Sequence, residues 1–243
     1  MRGDGDGDVL VLAPMPLELR AFVRAAGLTR GAPLAGRGAH RGVVGGRSVT
    51  ALATGIGTGL AAATARDALD GAGPAHVLVV GIAGAIPPHH AVGQRVDPVV
   101  VRDAGTGADF HPHVFGDDAS ARAGALLTGD ELIRSPERLA SLSREGVTAL
   151  DMETAAIAAA CEGRGVPWSV VRAISDLAGD DQVGATVDGG LARADGRPDL
   201  GAVARYLARG PWRIRGLARL AGQAQRAAGV AAEEAVRRIE RSR

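Results

Sequence analysis

The sequence of 243 residues predicts an α/β fold, a single-domain three-layer α/β/α arrangement around a mainly parallel, mixed and twisted sheet. Three observations predict it. Short continuous apolar runs, such as Val9–Ala13 and His76–Val80, have the form of strands covered on both faces. These runs alternate with helical patterns, as parallel strands joined by crossover helices do. The length suits one domain with an ample core, and no internal repeat or second domain interrupts it.

Taken in order, Val9–Ala13 is the first strand, broken by Pro14 and Pro16. Leu17–Ala26 then reads as a helix, with Pro16 suited to its first turn and Glu18 lying in that turn at the tip of the strand. Gly42–Ala53 is a hairpin turning at Gly45–Gly46. Thr54–Gly59 leads into the helix Leu60–Leu69, giving the strand, glycine loop and helix of a phosphate cradle. Its spacing is G-x-G-x-G, a poor match to a dinucleotide fingerprint, and a tight turn is the plainer reading. His76–Val80 is a buried strand ending at Gly81–Gly84, and Gly93–Val101 is another. Asp103–Asp118 is a long irregular stretch and reads as a mobile rim over a pocket. Its His111 and His113 are separated by a proline and lack a convincing third ligand, so no metal is expected. Ala125–Thr128 is a short strand, and Ser135 caps a helix to Arg144 with Pro136 at its first position.

Val147–Leu150 then leads to the stretch around which the chain is organised. An apolar helix, Leu150–Cys161, opens with Asp151 and Glu153 in its first turn, where free N–H groups and the helix dipole favour carboxylates. The strand Val166–Asp176 ends in Arg172, Ser175 and Asp176, polar residues that a core would not choose. Ligands of open α/β sheets gather at such strand ends. Beyond Asp176 a Gly/Asp-rich loop runs to about Pro198, followed by helices near Leu200–Arg209 and Trp212–Arg241. The last alternates Arg with Ala and Leu, the mark of a solvated face. We take residues 1–8 as a disordered tail and 9–243 as the domain, with 200–243 a helical C-terminal extension.

Composition limits function. A net charge of +1 gives no electrostatic case for nucleic acid or a membrane surface. No apolar run approaches the ~20 residues needed to cross a bilayer, and the acidic N-terminus is unlike a signal peptide. One cysteine, Cys161, excludes an internal disulfide framework and fits a reducing, cytoplasmic setting. Within an apolar helix it reads as a small buried hydrophobe.

With these residues in view, the chain resembles the nucleoside phosphorylase superfamily and, within it, the methylthioadenosine/S-adenosylhomocysteine nucleosidases. The resemblance covers roughly residues 9–180. Asp151-Met152-Glu153-Thr-Ala-Ala-Ile-Ala, then Val166-Pro-Trp-Ser-Val-Val-Arg172-Ala-Ile-Ser175-Asp176, is its most specific part. Ala13-Pro-Met15-Pro-Leu-Glu18, Thr54-Gly-Ile-Gly57, Gly81-Ile-Ala-Gly84 and Leu127-Thr-Gly-Asp130-Glu-Leu132-Ile133 are similar to further family motifs.

The resemblance implies cleavage of a purine N-glycosidic bond. Asp176 would be the acid that protonates the base, held in orientation by Ser175, and burial must raise its pKa for that role. Glu18 would position or deprotonate water, assisted by Arg172. Glu153 would bind the ribose hydroxyls with Met152 against the sugar, and Ile133 would read the purine edge through its backbone. Leu132, Met15, Gly84 and Phe110 complete the expected substrate-binding set. No cofactor or metal is implied. The expected ligand is a small purine nucleoside, and the expected assembly a homodimer or higher homo-oligomer, with Asp109–Phe115 as the loop completing a neighbour's pocket.

The chain departs from the family at Ile82, where a serine is usual, and at Leu132, where a stacking phenylalanine is usual. Phosphorolysis is a rival reading: Glu18 and Ile82 disfavour a phosphate site, while Arg20 or Arg41 could supply charge to one. A bulkier 5′ group, as in futalosine or an adenosylated hopanoid, is another. A non-catalytic nucleoside-binding protein is a third, disfavoured because binding alone does not require both an acid and a base.

Overall fold

The computed structural model describes residues 8–116, 119–180, 191, 193, 195, 199–208 and 213–242. Residues 1–7 of the expected tail 1–8, most of the Gly/Asp-rich loop between 181 and 198, and Arg209 and Trp212 at the expected helix ends lie outside these residues.

The chain runs β1 Val9–Ala13, α1 Pro16–Ala26, β2 Thr29–Arg30, β3 Ala39–Val44, β4 Arg47–Ala53, α2 Thr58–Ala72 and β5 His76–Ala85. It continues through β6 Arg95–Val96, β7 Val100–Asp103, β8 Asp109–Phe110, β9 Ala125–Thr128, α3 Pro136–Arg144, β10 Val147–Asp151, α4 Thr154–Glu162 and β11 Trp168–Leu177. The helices α5 Leu200–Ala208 and α6 Arg213–Arg241 follow. All the strands join one sheet, ordered β2-β3-β4-β1-β5-β10-β9-β7-β8, with β11 on β5 and β6 on β11. Pairings of β1 with β4 and β5, of β5 with β11, and of β9 with β7 and β10 are parallel. The outer pairs and β5–β10 are antiparallel, so the sheet is mixed.

Alternation along the strands divides the core in two. Leu10, Leu12, Val77 and Val79 face Ala61, Ala65, Ile157 and Ala158 of α2 and α4. Val9, Val11, Leu78 and Val80 face Phe22 of α1 and Ala231 and Ala235 of α6. This is the expected three-layer arrangement. Cys161 is buried in the first cluster, and burial pushes its thiol up to about 12, as suits a packing residue.

Several expectations need correction. The strand expected over Gly93–Val101 is two short strands, because Pro98 offers no N–H and Asp97 turns to Arg95 and Arg238. Over its described residues, 103–116, the stretch Asp103–Asp118 is not a rim over a pocket along its length. Arg102 holds Asp109 in β8 at 2.7 Å, and the chain then returns to the N-terminal ends of β5 and β11. There His113 N–H donates to Trp168 O, and buried Phe115 stacks on His76 at 3.9 Å. The C-terminal helix is no appendage. Its alanines at 227, 228, 231, 232 and 235 are buried, and Arg238 is buried among Glu234, Asp97 and the Val170 carbonyl, so its arginines are not all solvated.

Candidate active site

The site grows from the length of β5. β1 pairs with β5 only as far as Val79, and β10 joins the sequence of β5 at Gly84. Between these ends the Ile82 N–H has no strand partner on that side. Glu18 takes it: Oε1 accepts from Ile82 N at 2.8 Å, while Oε2 accepts from Met15 N at 2.6 Å. The second bond closes the N-terminus of α1 with its own third-position Glu, so the helix start and the site share one carboxylate. A β-carbon at Gly81 would overlap both Glu18 and the Arg172 guanidinium, which explains a glycine inside a buried strand.

Arg172, on β11, is fully buried. Its Nη2 lies 2.5 Å from Asp151 Oδ2 and 2.7 Å from Thr154 Oγ1. Its Nη1 is 3.9 Å from Glu18 Oε1, and Nη2 is 4.0 Å from Glu153 Oε2. Three carboxylates thus surround one cation. The expectation that Asp151 and Glu153 occupy the first turn of the helix is corrected: Asp151 ends β10, Glu153 is the N-cap, and α4 starts at Thr154. Asp151 accepts from the Thr154 backbone and hydroxyl, a local bond that competes with helix continuation.

The Glu153 carboxylate accepts the Gly57 N–H at 3.0 Å, and Asp130 accepts Thr58 N at 2.8 Å. The glycine loop before α2 is therefore no vacant phosphate cradle, since protein carboxylates use its first N–H groups. At Gly57 φ is +91°, which suits glycine.

Burial dominates the electrostatics. It raises Glu18 to about 7, opposed by Arg172 and the Ile82 and Met15 N–H groups and reinforced by Asp151. It raises Glu153 to about 8, reinforced by Asp151 and Glu18 and opposed by Arg172 and Gly57. Asp176 is raised as well, by burial first, with the Ser175 hydrogen bond opposing and Asp180 adding. A bulge between Ile174 and Asp176 sets Asp176 opposite Gly84, and Ser175 Oγ donates its one proton to Asp176 Oδ1, with the Ala83 carbonyl 3.4 Å away as the alternative acceptor.

Glu18, Arg172, Ser175 and Asp176 thus meet around Gly81–Gly84, with Met15 bonded to Glu18 and Glu153 4.0 Å from Arg172. Met152 is half-buried beside Glu153, and Ile133 and Leu132 follow the Asp130 anchor, with Leu132 38% exposed. Phe110 does not join them within one chain: β8 is four strands from β5. Sequence reasoning gave no site role to Asp151, Thr128, Thr154 or Gly57. Among the described residues, no group of three or more His, Cys, Asp or Glu is placed to hold a metal ion.

The family model of the phosphorylase superfamily matches residues 8–122 and 115–196 of this chain. A 5′-methylthioadenosine/S-adenosylhomocysteine nucleosidase of Actinobacillus succinogenes is 35% identical over 174 residues, 59% of this chain and 74% of that protein. The nucleosidase of the same name from Colwellia psychrerythraea, solved with adenine, has a TM-score of 0.72 at 20% identity, covering 97% of this chain and 96% of that one. Futalosine hydrolase of Helicobacter pylori gives 0.71 at 17%, covering 96% and 97%. The chain belongs to the phosphorylase superfamily and, within it, to the 5′-methylthioadenosine/S-adenosylhomocysteine nucleosidase family.

Proposed function

We propose that the protein hydrolyses the N-glycosidic bond of an adenine nucleoside of the 5′-methylthioadenosine/S-adenosylhomocysteine type. The observation that carries this reading is a pair of carboxyls, buried Glu18 from α1 and half-buried Asp176 from β11, set against one strand, β5. Glu18 rests on Ile82 and Asp176 on Gly84, backbone positions roughly 7 Å apart at the rise of a β-strand.

The proton of Asp176 goes to N7 of the leaving purine as the bond from C1′ to N9 breaks and its electron pair passes to the base. Glu18 takes a proton from water as the oxygen adds to C1′. Products are the free base and a ribosyl product bearing a 1-hydroxyl, and solvent returns the two proton carriers to their starting states. Glu153 accepts from the ribose hydroxyls, with Met152 against the sugar, and the backbone at Ile133 meets the purine edge. Burial raises both carboxyls above their ordinary values, Glu18 to about 7, the direction that acid–base work near neutral pH needs.

Hydrolysis is favoured over phosphorolysis by the local bonding. The Ile82 N–H is committed to Glu18, the Ile82 side chain is apolar, and Gly57 and Thr58 donate to Glu153 and Asp130. A bulkier 5′ group is the second reading. It is supported by Leu132, 38% exposed at the position where the resemblance expects a stacking phenylalanine. We extend the reading to a cytoplasmic homo-oligomer, in which Phe110 of one copy serves a neighbour's pocket. The reduced Cys161 fits that compartment. Among the described residues, no helix is long and apolar enough to cross a membrane.

The test is a product assay on methylthioadenosine, S-adenosylhomocysteine, futalosine, adenosine and inosine, each with and without phosphate. Free adenine and a reducing sugar are expected without phosphate. Formation of ribose-1-phosphate would overturn hydrolysis.

A further inference from the structure

Asp151 lies beneath the site and presents no free oxygen to it. Oδ1 accepts from Thr128 Oγ1 at 2.6 Å, and Oδ2 accepts from Arg172 Nη2 at 2.5 Å and from the Thr154 hydroxyl. Thr128 Oγ1 in turn accepts from Ala155 N at 3.0 Å, which ties the group to the start of α4. A carboxylate so fully engaged in the wall does not bind a ligand. Arg172, by contrast, is held at one edge only: its buried Nε and Nη1 make no hydrogen bond, and Nη1 points toward Glu18.

From this geometry we propose that Asp151 is a positioning residue, which by claiming one edge of the Arg172 guanidinium sets how much positive charge reaches Glu18 and Glu153. The inference rests on the hydrolytic reading above. Three carboxylates share one cation at 2.5, 3.9 and 4.0 Å, and Coulomb attraction falls with distance, so Asp151 takes the largest share. Glu18 is faced by Arg172 from β11, Asp151 from β10, Glu153 from the cap of α4 and the Ile82 N–H from β5. The charges that α6 turns toward α1, Glu233 and Arg237, line the outer groove with Arg20 and Arg24. Asp151 also raises both Glu18 and Glu153 directly.

The experiment compares kcat/KM against pH for the wild type, Asp151→Asn and Asp151→Glu, alongside carbon-13 NMR titration of the glutamate side chains. In Asp151→Asn the acid limb, which belongs to the Glu18 and Glu153 pair, moves to lower pH by about one unit. That is roughly a tenfold gain in the ionised fraction at a fixed pH below the limb. The basic limb, which belongs to Asp176, stays, and Asp151→Glu restores the acid limb. A drop in kcat at every pH with both limbs unmoved overturns the proposal, as do unmoved carboxyl titrations. If Asp151→Asn does not fold, Thr128→Val reports the same link with opposite sign. Removing a donor to Asp151 strengthens its field, and the acid limb moves to higher pH; a limb that stays put counts against us. A wild type that releases no base from any nucleoside sinks the hydrolytic reading, while the titrations still decide the role of Asp151.

Discussion

Asp176 lies against the bare backbone of Gly84, its Oδ2 only 3.2 Å from where a β-carbon on that residue would stand. The two residues are partners across the β5–β11 ladder. Gly84→Ala therefore displaces the acid by a few tenths of an ångström while leaving the strand able to form. Small misplacements of reacting groups are costly, and we expect kcat to fall roughly tenfold to a hundredfold with Tm little changed. Steady-state kinetics with a thermal scan checks this; wild-type kcat in the variant would separate Asp176 from proton donation.

Asp176→Asn keeps the shape of the side chain and removes its proton. Release of base should fall by roughly 10²–10⁴-fold, the usual contribution of a general acid. Binding of a non-hydrolysable nucleoside, measured by calorimetry, should remain within a fewfold of wild type.

Ser175→Ala tests the tuning of the same acid. The Ser175 hydrogen bond favours the ionised form of Asp176 and opposes the effect of burial. Without it the carboxyl holds its proton to higher pH. Since Asp176 must be protonated to act, the basic limb of kcat/KM is expected to move upward. Movement downward would show that the hydroxyl stabilises the neutral acid instead.

How far the sequence announces this arrangement follows from which signals are local. Glu18, Glu153, Arg172 and Asp176 stand at strand ends or helix starts, where a polar residue beside an apolar run is conspicuous. Asp151 is conspicuous too, but its spacing from α4 does not tell whether it begins the helix or ends β10. Only the Thr154 hydrogen bonds decide that. The glycines at 81 and 84 look like strand terminators in sequence, yet β5 continues through them to Ala85 because Arg172, Glu18 and Asp176 need the space a side chain would fill. The alanines of α6 at 227, 228, 231, 232 and 235 follow helical spacing and mark a packed stripe. The arginines on either side of them, Arg226, Arg237 and Arg238, obscured it.

Glu18→Gln joins function to stability. The carboxyl of Glu18 is raised from 4.5 to about 7 in the folded protein, so it favours the folded state when protonated. That contribution is fully present below pH 4.5 and is lost as pH rises through about 7. The neutral amide does not suffer this loss. The variant should be inactive, near wild type in stability at pH 4.5, and more stable by on the order of 1–3 kcal/mol at pH 8. Denaturant melts at the two pH values read the difference. Equal stability of the two proteins at pH 8 would mean that Arg172 already compensates the buried charge.

The C-terminal helix offers a test confined to stability. Arg238 donates through Nε to Glu234 at 3.0 Å, through Nη1 to the Val170 carbonyl at 3.3 Å and through Nη2 to Asp97, with its own side chain 1% exposed. Arg95 also reaches Asp97 at 2.6 Å and Glu234 at 3.0 Å, but from a side chain 39% exposed. Removing Arg238 leaves two shielded carboxylates with less buried positive charge, and breaking such a network costs about 3–5 kcal/mol. At about 2–4 °C per kcal/mol for a chain of this size, Arg238→Ala should lower Tm by roughly 6–20 °C. Adding Glu234→Gln should recover part of the loss, because one buried charge then needs no partner. Neither change touches the reacting carboxyls, so the folded fraction at low temperature should keep its kcat. A loss of kcat without a loss of Tm would assign α6 to the site rather than to the support of β11.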